Sequence, residues 1–306
     1  MYDLIIIGGG PAGVAAGVYA ARKKINALVI ADSFGGQSLV SDNIENWIGT
    51  KSIPGWELAK QLEEHLRAQE GIEILEEKVA EISKKGEGFM VKTSSGKDLE
   101  TKTVLMCSGG RHRRLNVPGE EKFEGKGVVF CSTCDAPLFK GKEVAVVGGG
   151  NAGLEAVIDL LPYASKVYLI VRSDKVKGDP VTFEEVKASD KVEILYNADT
   201  KEILGDGLVS GIKYMDTASN EEKELSVEGV FVEIGTVPNS DMIKGLVELN
   251  ERGEMKIDCA TGRATLSGIW GAGDVTNVLY KQNNIAVGDA VRAVLNIYSY
   301  LRENGK

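Results

Sequence analysis

The chain opens with Tyr2–Ile7, an apolar run of the length of one buried strand, and Gly8-Gly9-Gly10-Pro11-Ala12-Gly13 follows it directly. Val14–Lys24 is alanine-rich and helix-compatible, and Ala27–Ile30 is a second apolar run that ends at Ala31-Asp32. This pattern predicts a strand–turn–helix–strand unit whose Gly8, Gly10 and Gly13 fall at G-x-G-x-x-G spacing. The pattern returns further along the chain. Glu143–Val147 reads as a strand, Gly148-Gly149-Gly150-Asn151-Ala152-Gly153 as the turn, Leu154–Leu161 as the start of a helix, and Lys166–Val171 as the returning strand. One such fingerprint is weak, because glycine turns are common. Two, each between a strand and a helix, argue for two dinucleotide sites. Glycine lets the backbone approach a pyrophosphate, and the helix N-terminus faces the anion.

Between the two units, Asn43–Val79 carries an amphipathic helix near Trp56–Gln69. Strand-and-turn sequence follows at Phe89–Thr103, and Val104-Leu105-Met106 leads into Cys107-Ser108-Gly109-Gly110. The polar segment Arg111–Glu121, containing Val117-Pro118-Gly119-Glu120, reads as a crossover, and Thr236-Val237-Pro238-Asn239 reads as the return. A third glycine–acid turn, Gly271-Ala272-Gly273-Asp274-Val275, follows the strand-like Gly268-Ile269-Trp270, and a closing helix covers about Ala286–Leu301. The expected architecture is α/β: two Rossmann-like nucleotide-binding domains of the three-layer ββα sandwich type, the second inserted in the first. Residues 1–115 and 241–306 would form the first domain and residues 116–240 the second.

Composition agrees with tight backbone turns. Glycine is 37 of 306 residues, about 12%, against a usual ~7%, with 7 prolines and no low-complexity tract. A net charge of −9 makes nucleic acid or an anionic lipid surface a poor partner. No apolar run approaches the ~18 residues of a membrane-spanning helix, and the start lacks the basic region of a signal peptide. Four cysteines are too few for a secreted disulfide scaffold. A soluble cytoplasmic protein is expected, with neither nucleic acid nor membrane as partner.

Cys131-Ser132-Thr133-Cys134 is the centre of the chemistry. A CxxC in such a chain is a zinc half-site, a pair of structural thiols or a redox dithiol. Zinc needs four ligands, whereas Cys107 and Cys259 are isolated and the histidines are His65 and His112. The redox reading is favoured because the motif immediately precedes a nucleotide-binding unit, and Asp135 follows as an acid placed to trade protons with a dithiol. The other candidates read as bland. His65 is a surface packing residue, Cys107 and Cys259 are unreactive, and Trp47 and Trp56 pack. Arg111-His112-Arg113-Arg114 is a solvated linker, or alternatively a docking patch for an acidic partner.

Taken together, these motifs resemble the low-molecular-weight thioredoxin reductases over essentially the whole length. The flavin half shows Gly8–Gly13, Gly35-Gly36-Gln37 and Glu45-Asn46-Trp47. The distal half is similar to the flavoprotein core of alkyl hydroperoxide reductase, in Cys131–Lys142, Gly150–Ala156, Gly229–Val232, Val247–Asn250 and Tyr280-Lys281-Gln282. The resemblance implies FAD on Gly8, Gly10, Pro11, Ala12, Gly13, Asp32, Gly36, Gln37, Asn46, Val79, Gly109, Gly273, Asp274, Lys281 and Gln282. It implies NAD(P)H on Gly148, Gly150, Asn151, Ala152 and Gly153, with Arg172 and Lys177 near the ribose. Relatives that prefer NADPH carry a basic His-Arg-Arg pattern after the second strand, and those that prefer NADH place a carboxylate at the Val171 position. Here the two positive charges of Arg172 and Lys177 favour NADPH.

The resemblance also implies roles and partners. Cys131, Cys134 and Asp135 would be catalytic, with Cys134 facing flavin and Cys131 attacking a partner disulfide. Electrons would pass from NAD(P)H through FAD and the dithiol to thioredoxin or another thioredoxin- or glutaredoxin-like protein, in a homodimer. The alternatives are reduction of a peroxiredoxin partner, a ferredoxin-driven thioredoxin reductase, a flavin NAD(P)H oxidase, or a redox sensor. The peroxide-system flavoprotein carries a thioredoxin-like N-terminal module. This sequence starts at the flavin strand, and Leu301–Lys306 holds no cysteine, so electrons are expected to leave by Cys131–Cys134 to a separate protein. Ala136 stands where the family has glycine and is expected to tighten the loop after the dithiol.

Overall fold

The computed structural model describes residues 1–41 and 43–304. It divides into two compact units, one of Met1–Arg111 with Val237–Lys306, the other of His112–Thr236. The chain begins with β1 (Tyr2–Gly9), α1 (Pro11–Arg22) and β2 (Ala27–Phe34). Gly10 caps α1 with extended backbone and Pro11 opens its first turn, where a missing N–H costs nothing. Then come α2 (Gly55–Arg67), β3 (Ile72–Leu75), β4 (Val79–Lys85), β5 (Gly88–Thr93) and β6 (Asp98–Met106). The first half of β6 pairs antiparallel with β5, while its second half lies parallel to β1. One strand thus serves two layers, a parallel sheet and an antiparallel β4–β5–β6 meander.

The crossover strand β7 (Gly110–His112) leads into the second unit, which starts with β8 (Val128–Val129) and the single turn α3 (Ser132–Asp135). It continues through β9 (Glu143–Val147), α4 (Asn151–Leu160), β10 (Lys166–Ile170), α5 (Pro180–Ala188) and β11 (Val192–Leu195). Three strands, β12 (Ala198–Asp206), β13 (Leu208–Asp216) and β14 (Glu221–Ser226), make an antiparallel meander, and β15 (Gly229–Val232) returns to the main sheet. That sheet runs β11-β10-β9-β15-β8, with every described pairing parallel. The meander strands had no counterpart in the sequence pattern, because charged residues interrupt their alternation, as in Glu221–Ser226.

The return strand β16 (Thr236–Pro238) pairs with β7. β17 (Ile269–Gly271) then adds to the parallel edge of β6, and α6 (Asn283–Asn304) closes the first unit. Gly305 and Lys306 lie outside the described residues. In the first unit, one apolar layer joins α1 and α6 to one face of the sheet through Ala16, Val18, Leu105, Trp270, Ala290 and Ile297, all buried. The expected helix over Ala286–Leu301 starts three residues earlier, at Asn283. Both units have the expected α/β architecture: a parallel sheet with helices on one side and an antiparallel meander on the other. Among the described residues no helix is long and apolar enough to cross a membrane, and no group of His, Cys, Asp and Glu side chains could hold a metal.

Candidate redox site and dinucleotide cradles

In each unit the first strand leaves the sheet toward one neighbour through its helix, and a later strand fills the other side. β1 feeds α1 and then β2, with β6 on the other flank; β9 feeds α4 and then β10, with β15 on the other flank. The gap above the carboxyl ends of such a pair is the topological switch point, where open α/β sheets bind ligands. Both glycine loops lie there. Gly8 and Gly148 adopt φ of +117° and +147°, and a side chain on either would strike the carbonyl of Cys107 or Glu233 respectively. Gly13 and Gly153 each lie against the carbonyl of the first glycine in their own loop. A Cβ would fill either cradle.

The other residues expected at FAD gather in the first unit. The Gly36 backbone approaches Gly10, with Gly36 Cα 3.8 Å from where a Gly10 Cβ would stand, and the Gln37 side chain donates to the Gly110 carbonyl. Gly109 follows the Cys107 that packs on Gly8, and its carbonyl accepts from the Asn239 N–H at 2.9 Å. Gly273 packs between Ala286 and Ala12, joining the third glycine turn to the start of α1, where Pro11 is buried. Asp32, at the end of β2, pairs with Lys78 at 3.4 Å, next to Val79. Asn46 donates to Gln282 at 3.3 Å, so two distant segments meet as expected. Burial raises the Asp274 carboxyl above its ordinary range; Lys281 opposes the shift and Asp289 adds to it. Lys281 also reaches the Asp274 carbonyl at 3.3 Å and pairs with Glu254 at 3.1 Å.

In the second unit, Asn151 Oδ1 accepts from the Asp179 N–H at 2.7 Å, and the Lys177 N–H donates to the Gly149 carbonyl at 2.7 Å. Ala152, Arg172 and Lys177 are exposed and Gly150 has open space around it. Val171 is buried against Gly149 and offers no polar group to a ribose.

Cys131 and Cys134 form a disulfide with Cα atoms 5.3 Å apart, both half-buried. Cys131 caps the short α3, and the Asp135 N–H bonds its carbonyl at 3.1 Å. Asp135 itself is buried. Two residues not singled out in the sequence hold this turn. Asp159 on α4 accepts from the Ser132 hydroxyl at 2.8 Å and from the Thr133 hydroxyl at 3.2 Å. Glu233, just past β15, accepts from the Ser132 N–H, and burial is the main cause that lifts its carboxyl to about 8, with Asp159, Asp135 and Glu155 adding to the shift. Neither had a sequence signal, since both meet the motif only through the fold. Ala136 sits in ordinary helical backbone and is buried, so alanine fits the loop there without strain.

The basic segment is a solvated linker only in part: Arg111 and Arg113 are exposed, while His112 and Arg114 are half-buried. Arg114 makes a two-pronged bond to Glu124 at 2.6 and 2.8 Å and lies over Phe130, while the His112 ring packs against the same ring, tilted, with centroids 5.2 Å apart. Burial lowers the His112 imidazole, and the Arg114 cation adds to the effect. Trp47 packs on the Ile44–Ile53 cluster, but Trp56 is 61% exposed rather than packed.

The second unit thus carries a disulfide together with the second of two glycine-lined switch-point cradles, the combination expected of the pyridine nucleotide-disulphide oxidoreductase class. The pattern of the pyridine nucleotide-disulphide oxidoreductase family matches residues 2–290, and the chain belongs to that family. It is 45% identical over 305 residues to an alkyl hydroperoxide reductase protein of Pseudomonas aeruginosa, covering 98% of this chain and 58% of that protein. It is 42% identical to a Bacillus subtilis protein named NADH dehydrogenase, covering 99% of this chain and 59% of that one. The chain thus spans somewhat under two thirds of the curated relatives it matches. Among solved structures, thioredoxin reductase from Streptococcus pyogenes superposes with a TM-score of 0.93 at 33% identity, covering 99% of both chains. That from Giardia duodenalis gives 0.92 at 29% identity, covering 98% of this chain and 99% of that one. Membership of that family implies FAD and a pyridine nucleotide as the groups the two cradles would take.

Proposed function

We propose that the protein reduces the disulfide of a small thioredoxin-type protein, taking electrons from a pyridine nucleotide by way of FAD. The observation that carries this reading is the Cys131–Cys134 disulfide, held by Ser132 and Thr133 on Asp159 beside the Gly148 cradle. The Gly8 cradle would hold FAD and the Gly148 cradle the nicotinamide dinucleotide. When bound, these groups supply a two-electron relay from nucleotide to disulfide. The residues of the chain position and protonate. Cys134 would receive the electron pair, Cys131 would attack the partner disulfide as a thiolate, and Asp135 would carry the proton between them. Exposed Arg172 and Lys177 support NADPH over NADH, since Val171 provides no carboxylate for a free ribose diol. The first unit would form the contacts of a homodimer.

A second reading rests on the curated relatives: the partner is the disulfide module of a peroxide-reducing system. Steady-state reduction of thioredoxin and of a peroxiredoxin-reducing thioredoxin-like module, each with NADPH and NADH, separates the two. Thioredoxin with NADPH should be the preferred pair. A module at least tenfold better than thioredoxin moves the assignment to the peroxide system, and a clear NADH preference overturns the nucleotide assignment. Cys131→Ser and Cys134→Ser should each abolish partner reduction while pyridine nucleotide still bleaches the flavin. Only Cys134→Ser should trap the partner as a mixed disulfide.

A further inference from the structure

At the switch point of the second unit stands a residue whose side chain the electron-relay reading does not use. Glu233 follows the buried β15, its N–H bonds the Val147 carbonyl at 2.9 Å, and its own carbonyl blocks any side chain on Gly148. Its carboxyl accepts the N–H of Ser132, the residue between Cys131 and Thr133. One residue therefore touches the nucleotide loop with its backbone and the dithiol turn with its side chain. We propose that Glu233 is a positioning residue for the dithiol, fixing the Cys131 turn through the Ser132 N–H and, by gaining or losing its own charge, setting how readily the two sulfurs become thiolates.

The charges around it make that control strong. Asp135 on α3 and Glu155 and Asp159 on α4 all face Glu233 and disfavour a further negative charge there. On the segment paired with the strand after it, the Arg113 side chain runs beside Gly235, two residues on. Burial keeps the Glu233 proton on up to about pH 8. Opening the disulfide breaks the S–S bond and places two electrons on the sulfurs, and two protons are needed before both are neutral thiols. A neutral Glu233 adds no repulsion to a thiolate next to Ser132. An ionised one does, and a thiolate in turn holds the Glu233 proton more tightly, so the groups titrate as a coupled set.

This inference deepens the dithiol reading and rests on it. Its test needs neither a partner protein nor a nucleotide, so the two can fail separately. The FAD-loaded protein is reduced with dithiothreitol, freed of excess reductant, and pulsed with iodoacetamide from pH 5 to 10. Labelling of Cys131 is then read by mass spectrometry. In the wild type the rate should rise in two steps, one of them near pH 8. In Glu233→Gln, which keeps an acceptor for the Ser132 N–H but no charge, it should rise in one step with a midpoint lower by about half to one pH unit. Glu233→Ala, which loses the hydrogen bond as well, should shift likewise and also label more slowly at its plateau. A merely structural Glu233 would leave the Gln curve on the wild-type curve, and that outcome overturns the proposal. If the variants do not fold, a single-step wild-type curve overturns it alone.

Discussion

The two glycine-rich cradles are built from the same backbone device and differ in what stands at the switch point. In the first unit the residue that closes over the leading glycine is Cys107, a buried thiol at the end of β6; in the second it is Glu233, a half-buried carboxyl after β15. Both positions press a carbonyl on glycine, so the backbone roles are interchangeable. The side chains are not. Cys107 belongs to the buried apolar layer that includes Val14, Ala16 and Trp270. Glu233 bonds the dithiol turn. Under the proposed division of labour, a cradle that only binds would tolerate a small apolar residue there, whereas the cradle next to the disulfide has a titrating group in the same place.

The largest expected effect tests whether the two cradles divide the labour. Gly13→Ala and Gly153→Ala each push a methyl group onto the carbonyl of the first glycine in the loop, where backbone must move. Overpacking of this kind costs about 1–3 kcal/mol, occasionally more. Gly13→Ala should purify with FAD retention down at least tenfold, measured by flavin absorbance per chain. Gly153→Ala should retain FAD and lose at least tenfold in kcat/KM for flavin reduction by pyridine nucleotide. If Gly153→Ala loses FAD and Gly13→Ala does not, the assignment of the cradles is reversed.

The next effect sharpens the contrast at the switch point through stability. The ordinary carboxylate value of 4.5 holds for Glu233 in the unfolded chain, and about 8 in the folded one. Between these values the folded state binds the proton and the unfolded state has released it. This group's contribution is therefore fully present below about pH 4.5 and is lost progressively as pH rises to about 8. Glu233→Gln has no such proton. Its melting temperature should gain on the wild type from pH 5 to pH 8 and keep a constant offset above that. A constant offset across the whole range would show that Glu233 is ionised in the folded protein at neutral pH.

The sequence displayed the cradles because their requirement is local. Positive φ at Gly8 and Gly148, and carbonyls pressed on Gly13 and Gly153, leave room for no other residue, so the motif survives in one dimension. CxxC is local in the same sense. The supports of the dithiol were hidden because they are non-local: Glu233 meets Ser132 only once β15 lies between β9 and β8. In the string it is an acid after an apolar strand, like many others. The basic run at residues 111–114 misled in part, for the converse reason, since Arg111 and Arg113 are exposed as expected but His112 and Arg114 are not. Four charged or polar residues in a row suggest solvent, but Arg114 has a distant carboxylate and Phe130 to cover it.

The smallest expected effect concerns the residue at the other switch point. Burial raises the Cys107 thiol well above its ordinary value, and the Asp289 carboxylate adds to the shift, so thiolate is scarce there at any physiological pH. A thiol reacts as its thiolate and needs access, and Cys107 has neither. Cys259 is exposed, so its expected inertness does not extend to solvent reagents. Iodoacetamide at pH 8 should label Cys259 in the native oxidised protein, Cys131 and Cys134 only after reduction, and Cys107 only after unfolding. Cys107→Ala should cost about 1 kcal/mol of stability and leave flavin reduction within twofold of the wild type. Native labelling of Cys107 at a rate like that of Cys259 would mean that the first switch point opens to solvent, and the division between a binding cradle and a chemical one would no longer hold.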